Sequence, residues 1–290
     1  MYSSLATAFA SITSVAALLF SNTITPALLK TQYRDAGSFG GPVKILIVPG
    51  HEPTSGGTAF RGMYERDAVV PLAQKIAEYL FLDPRLSVTV SRTTESWEPQ
   101  LGSYISNNKN QIIAWRADHV EKLTSAISSG SFTTSTGVGH ANATPSAVVA
   151  LYGINKWTDE NDYQIVISVH LNDYAGRRYN KVGIYRGHSI YVPEHQLSNS
   201  QAAKEIGTKI SEALRVVQPI SNLKGESKGV IEDQELIATG AYNTADTANL
   251  LIEYGYIYEP QFQTSSLREE AFDTYARLTA EAIRNYLASR

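Results

Sequence analysis

The stretch Val43-Lys-Ile-Leu-Ile-Val-Pro-Gly-His51 decides the fold, because a run of aliphatic residues leads directly into a histidine. Two later stretches have the same form, Ile165-Val-Ile-Ser-Val-His170 and Leu250-Leu-Ile-Glu253. Continuous aliphatic runs are typical of strands buried on both faces of a parallel sheet. Ligands of open α/β sheets bind beyond the carboxyl ends of such strands. We therefore expect the two histidines and the glutamate to meet at one edge of a sheet.

Strand and helix patterns alternate along the rest of the chain. Further strands are predicted over residues 86–91 and 182–192, and helices over residues 66–82, 110–127, 200–217 and 267–287. The length of 290 residues suffices for one large domain. The alternation predicts an α/β fold: a single three-layer α/β/α domain with a mostly parallel central sheet and helices on both faces.

The amino terminus differs from the rest of the chain. Residues 1–29 contain no charged side chain and have an apolar core, which predicts a signal peptide or membrane anchor. An apolar helix packed on the domain is the alternative. Residues 30–42 contain three glycines and a proline and predict a linker. Residues 124–146 are rich in Ser, Thr and Gly and predict a surface loop or flap.

Composition narrows the possible chemistry. The net charge of −3, without any basic stripe, gives no electrostatic signature of nucleic-acid binding. The chain has no cysteine, so a metal ion would be held by His, Asp or Glu side chains.

Four residues are candidates for a catalytic zinc site. Such a site has three protein ligands and leaves its fourth position to water, and His51, Glu65 and His170 form a set of this kind. Glu253 then fits the general acid/base. Glu65 could instead only stabilise the start of a helix, and Glu253 could pair with an arginine. Spacing alone is a weak signal, because none of the four shares a compact motif with another.

The segments around these residues resemble the zinc-dependent N-acetylmuramoyl-L-alanine amidases, the Amidase_3 type of cell-wall amidase. Lys44-Ile-Leu-Ile-Val-Pro-Gly-His51 is similar to the opening strand of that family, and Gly62-Met-Tyr-Glu65 to its acidic ligand segment. Ile167-Ser-Val-His-Leu-Asn172 resembles its Ser-x-His-x-Asn segment. Leu251-Ile-Glu-Tyr-Gly-Tyr256 resembles its Leu-x-Glu-x-Gly-Phe segment. The resemblance extends over residues 43–287 in the same order.

This resemblance implies an enzyme with Zn²⁺ held by His51, Glu65 and His170 and with Glu253 as the catalytic acid/base. Residues 43–290 would be the catalytic domain, and the substrate would be the amide between N-acetylmuramic acid and L-alanine in peptidoglycan. It also implies a location in the cell envelope, periplasmic or extracellular, with possible membrane attachment through residues 1–29. It leaves a protein activator unidentified.

Two features depart from the family. Val48 stands where an acidic residue often precedes Pro-Gly-His, and Glu52-Pro53 replaces the usual glycine. Losing that acidic residue removes a possible partner for a ligand histidine. Two other functions stay open: a non-catalytic peptidoglycan-binding module of the same fold, and a related zinc peptidase or deacylase. His188 and His195 flank a predicted strand end and are further candidates for positioning substrate.

Overall fold

The computed structural model describes residues 24–38, 40–138, 143–239 and 246–289. Its eight strands are β1 (Val43–Pro49), β2 (Ala59–Phe60), β3 (Met63–Tyr64), β4 (Leu86–Val90), β5 (Ile165–Asn172), β6 (Ser189–Pro193), β7 (Val230–Asp233) and β8 (Ala248–Tyr256). Its α-helices are α1 (Pro26–Asp35), α2 (Glu65–Phe81), α3 (Pro99–Asn107), α4 (Lys109–Ser128), α5 (Pro145–Glu160), α6 (Ser200–Leu214) and α7 (Ser265–Ala288), and residues Pro260–Phe262 form a 3₁₀ turn.

The central sheet has six strands in the order β4-β1-β5-β8-β6-β7, while β2 and β3 form a separate hairpin. Neighbouring strands from β4 to β8 are parallel, β6 is antiparallel to β8, and β7 is parallel to β6. The carboxyl ends of β1, β5 and β8 therefore lie at one edge together with the first residue of β6. At this edge Glu253 is paired with His170 on one side and with Ser189 on the other.

Both faces of the sheet are covered. Ile47, Ile167 and Ile252 belong to the larger core, which α2, α6 and α7 complete. Val48 and Val166 project from the opposite face and pack with side chains of α3 and α5. Because side chains alternate along a strand, His170 and Glu253 project from this second face. The prediction of a three-layer α/β/α domain with a mostly parallel sheet is confirmed.

Several predicted helices agree with the structure to within a few residues, namely those that became α2, α4, α6 and α7. Helix α5 was not predicted, although Thr144 caps it by accepting from Ala147 N, and Pro145 lies in its first turn. The strand predicted over 182–192 is present only from Ser189. The residues before it contain Gly183 and Gly187, which favour a loop.

The predicted linker over residues 30–42 is wrong in its first part, because α1 continues to Asp35. Leu29 and Tyr33 of this helix are buried in the larger core. Residues 1–23 of the predicted signal peptide or anchor lie outside the described residues. Among the helices of the described ranges, none combines the length and hydropathy needed to cross a membrane.

The predicted flap over residues 124–146 is shorter than expected, since α4 extends to Ser128 and α5 begins at Pro145. Part of the intervening segment is held against the domain. Phe132 is buried beside Leu197, and Thr133 N donates to Gln196 Oε1 at 2.9 Å.

Candidate metal centre

The loop after β1 wraps closely around His51. Gly50 N donates to Val169 O at 2.8 Å, and a side chain at position 50 would overlap the His170 ring. Gly57, at φ +81°, also lacks room, because a Cβ there would lie 2.9 Å from His51 Cδ2. His51 itself has φ +68°, a strained conformation for a residue with a side chain. Strain of this kind is concentrated at functional sites.

Arg92 binds the backbone of this loop through its guanidinium group. Its side chain is buried and donates to the carbonyl oxygens of Pro49 at 3.1 Å, of Gly50, and of Arg66 at 2.7 Å. The guanidinium therefore fixes the end of β1 against the first turn of α2. This makes Arg92 a structural, carbonyl-binding residue.

Glu65, the first residue of α2, lies between the two histidines. Its side chain is only 4% exposed. Oε1 lies 2.9 Å from His170 Nδ1 and accepts from Leu171 N, while Oε2 lies 2.9 Å from His51 Nε2 and accepts from Thr58 N. Each carboxylate oxygen thus faces one imidazole.

The electrostatics of this group favour cation binding. Burial alone would raise the pKa of Glu65, but the charge of His51 and the hydrogen bond with His170 outweigh it and hold that pKa well below its usual range. Burial lowers the pKa of His170, despite its hydrogen bond to Glu65. At neutral pH the group therefore presents a carboxylate and a neutral His170, the protonation states that a metal ion requires.

The geometry also fits zinc. One ligand-type atom from each of His51, Glu65 and His170 lies within 4.8 Å of the other two. Tetrahedral zinc, with bonds of about 2.0–2.1 Å, separates neighbouring donors by about 3.3 Å. Among the described residues, His51 Nε2 is buried without a hydrogen bond, although it lies 2.9 Å from Glu65 Oε2. Two electron-pair donors facing each other in this way suit a cation held between them.

Glu253 lies beside this group on the neighbouring strand, opposite His170. Its Oε2 atom is buried and forms no hydrogen bond with the part of the chain that the structure describes. Burial, reinforced by the negative charges of Glu65 and Glu226, raises the pKa of Glu253 well above its usual range. A raised carboxyl pKa next to candidate metal ligands is typical of a functional group.

Sequence reasoning missed a second carboxylate at this edge, Glu226. It is 2% exposed. Its Oε1 atom accepts from Asn172 Nδ2 at 2.8 Å and from Tyr191 OH at 2.7 Å. Its Oε2 atom accepts from Ser221 Oγ at 2.5 Å and from Tyr256 OH at 2.9 Å. Glu226 lies in the loop before β7, outside every motif, so no sequence signal pointed to it.

The Amidase_3 family model, that of N-acetylmuramoyl-L-alanine amidases, matches residues 45–285. This chain belongs to that amidase family. Membership identifies a hydrolase of the amidase type that acts on cell-wall peptidoglycan. No curated protein matches the chain by sequence.

Solved structures of amidases share the fold. The CwlD amidase from Clostridioides difficile, in complex with the GerS lipoprotein, has 15% identity, covers 84% of this chain and 98% of its own, and gives a TM-score of 0.55. The amidase Ami1 from Mycobacterium smegmatis has 12% identity, 86% and 98% coverage, and a TM-score of 0.54. An N-acetylmuramoyl-L-alanine amidase from Clostridium difficile 630 has 16% identity, 87% and 100% coverage, and a TM-score of 0.53.

Within the amidase fold, the departure at Val48 has a visible consequence. Val48 is buried in the core on the second face of the sheet, so β1 brings no carboxylate to the histidines. Glu65 contacts both imidazoles instead. Glu52, in the position of the usual glycine, accepts from Ser55 Oγ at 2.8 Å.

The two remaining candidate histidines lie apart from this site. His188 is completely buried, and its Nδ1 atom lies 2.9 Å from Gln218 O. His195 follows β6, which runs away from the edge that carries His170 and Glu253, and its side chain is 72% exposed. It lies instead in a second group of possible metal ligands with Glu194 and Glu232.

Proposed function

We propose that this amidase hydrolyses the amide bond between N-acetylmuramic acid and L-alanine of the stem peptide, with a zinc ion bound by His51, Glu65 and His170. One observation carries the proposal. The three candidate ligands each bring one donor atom within 4.8 Å of the others, and Glu253, whose Oε2 atom is buried, lies opposite His170 on the neighbouring strand.

The three ligand residues have separate tasks. His51 and His170 provide nitrogen donors, and Glu65 provides the negative charge that makes a divalent cation favourable at a buried position. When bound, zinc supplies Lewis acidity and lowers the pKa of a water molecule toward about 7. The strained loop at His51 and the Arg92 contacts keep the donors in place before a metal arrives.

Glu253 moves the proton. One of its carboxylate oxygens accepts a proton from the attacking water while the new C–O bond forms at the lactyl carbonyl carbon. The same carboxyl then donates that proton to the leaving nitrogen of L-alanine as the C–N bond breaks. The buried Oε2 has no competing partner among the described residues, and burial favours the protonated form of Glu253 that the second step needs.

The alternatives fit the site less well. A peptidoglycan-binding module without catalysis would have no use for a buried carboxylate that lacks an ion-pair partner, because burying it costs free energy. A zinc carboxypeptidase uses a His-x-x-Glu pair, whereas Thr54 stands three residues after His51.

The proposed location follows from the substrate. Peptidoglycan lies in the cell envelope, and residues 1–29 would export or anchor the domain there. The CwlD amidase from Clostridioides difficile is in complex with a lipoprotein. We propose by analogy that this chain, too, binds a protein partner at the cell envelope.

Digestion of purified peptidoglycan, with and without a chelator, tests the reaction and its metal together. Mass analysis should show glycan strands separated from intact stem peptides that begin with L-alanine. Chelation should abolish this cleavage, and added zinc should restore it. Shortened stem peptides, or cleavage that survives complete metal removal, would contradict the proposal.

A further inference from the structure

Both carboxylate oxygens of the buried Glu226 accept two hydrogen bonds each. A buried carboxylate is costly unless polar groups replace the water that it loses. Glu226 receives four side-chain donors, two at each oxygen, and none of them is a cation. The carboxylate is therefore fixed in orientation as well as satisfied, and it fixes its donors in turn.

Three of the four donors lie on the strands that carry the proposed active site, and the fourth, Ser221, lies in the loop before β7. Asn172 follows His170 by two residues on β5, and Tyr256 follows Glu253 by three residues on β8. Tyr191 follows Ser189 by two residues on β6, and Ser189 is the pairing partner of Glu253. Glu226 thus joins three neighbouring strands just beyond or beside the catalytic positions.

The pairing of β5 with β8 is irregular at this place. His170 is opposite Glu253, but Asn172 is opposite Tyr256, so three steps along β8 match two along β5. The extra residue is a β-bulge, and Gly255 within it has φ +153°. A bulge leaves one residue outside the ladder and re-aims the neighbouring side chains, so ladder hydrogen bonds alone hold it weakly.

Glu226 spans this bulge. Its Oε1 atom holds Asn172 on one strand and its Oε2 atom holds Tyr256 on the other. We infer that Glu226 is a positioning residue, which locks the bulge and thereby fixes His170 and Glu253 relative to each other. Its effect on hydrolysis rests on the proposed function, whereas its effect on the strand ends does not.

Two substitutions separate the hydrogen bonds from the charge. Glu226→Ala removes all four bonds and frees the bulge. Glu226→Gln keeps the shape, because its carbonyl oxygen can accept from Asn172 and Tyr191 while its amide donates to the hydroxyl oxygens of Ser221 and Tyr256. Glutamine lacks the negative charge that strengthens the hydrogen bonds from the four donors, so its rescue will be incomplete.

Asp83→Ala is the matched control. Asp83 is also buried, and it also accepts from a tyrosine hydroxyl, that of Tyr33 at 2.5 Å, and from Arg85. It precedes β4 at the opposite edge of the sheet. It therefore reports what loss of a buried carboxylate does to stability without touching the catalytic edge.

Activity and crystal structures of the zinc-loaded full chain test the inference. For Glu226→Ala we expect kcat to fall about 100-fold, the loss typical of an error of about 1 Å in a catalytic group, with KM nearly unchanged. Glu226→Gln should recover kcat to within about 10-fold of the unmodified chain. Asp83→Ala should lower the melting temperature and leave kcat unchanged.

The crystal structures give a readout that does not depend on activity. In Glu226→Ala the distance between the His170 and Glu253 side chains should change by about 1 Å, and in Glu226→Gln it should not. If the His170 and Glu253 side chains keep their positions in Glu226→Ala, the inference is wrong. This result does not depend on activity, so it would hold even if the unmodified chain cleaved no muramoyl-peptide and the proposed function failed. An equal loss of kcat in Asp83→Ala would overturn it too. Should Glu226→Ala fail to fold, Tyr256→Phe removes one of the four bonds, and the same two measurements decide.

Discussion

Two groups of histidine and glutamate side chains lie at opposite edges of the same sheet. The first group is His51, Glu65 and His170, at the carboxyl ends of β1 and β5. The second group is Glu194 and His195, which follow β6, together with Glu232 in β7. In both groups the possible ligand atoms lie within 4.8 Å of one another. Residue type and proximity alone therefore do not distinguish them.

Burial and existing partners do distinguish them. In the first group the Glu65 side chain is 4% exposed, and His51 Nε2 is left without a hydrogen bond among the described residues. In the second group His195 is 72% exposed, and the Lys204 ammonium already neutralises Glu232 at 2.6 Å. A cation would complete the first group, whereas a lysine has already supplied the second with its positive charge.

The largest effect should come from Glu253→Ala, because only the first group has such a carboxylate beside it. General acid/base catalysis contributes about 10²–10⁴-fold, so kcat on muramoyl-peptide should fall by a factor in that range. Zinc content should stay at one ion per chain, since Glu253 is not among the proposed ligands. Turnover and metal analysis on the same sample measure both. Glu232→Ala, the matched change in the second group, should leave kcat unchanged, and full activity of Glu253→Ala would end the assignment.

The next effect concerns the metal itself. His170→Ala removes one of three ligands from the first group, and we expect zinc affinity to fall by more than the roughly 10–100-fold typical of losing an outer-shell partner. His195→Ala should leave zinc content and affinity unchanged. Competition with a fluorescent chelator measures both variants. Loss of zinc in His195→Ala but not in His170→Ala would show that the second group, and not the first, is the zinc site.

These comparisons show how far the sequence could lead. The aliphatic runs ending in His51, His170 and Glu253 were sufficient to predict the sheet and its shared edge, because burial on both faces leaves a readable pattern. Glu65 depended on resemblance, since a glutamate at a helix start has an ordinary explanation. Glu226 could not be found, because a loop carboxylate acquires its four donors only when distant strands have assembled.

A smaller effect is expected from acid. Zinc binds the unprotonated imidazole, so protons compete with it at low pH. Burial lowers the pKa of His170 below its usual range of about 6.5, which keeps this ligand available to lower pH than an exposed histidine. Zinc titrations should therefore show constant affinity near neutral pH and a decline only as the pH falls below about 6. A decline that began well above pH 7 would contradict a site built on His170.

The smallest effect should come from Lys204→Ala, which tests whether the ion pair between Lys204 and Glu232 weakens metal binding by the second group. Burial alone would raise the pKa of Glu232, but its hydrogen bonds to Lys204 and His195 outweigh this and lower it. Because Lys204 is 56% exposed, its removal should change the free energy of unfolding by less than about 1 kcal/mol. If exposure of His195 is the main obstacle, the variant will still bind one zinc per chain in metal analysis after dialysis. A second tightly bound zinc would show instead that the Lys204 ammonium group prevents the second group from binding zinc.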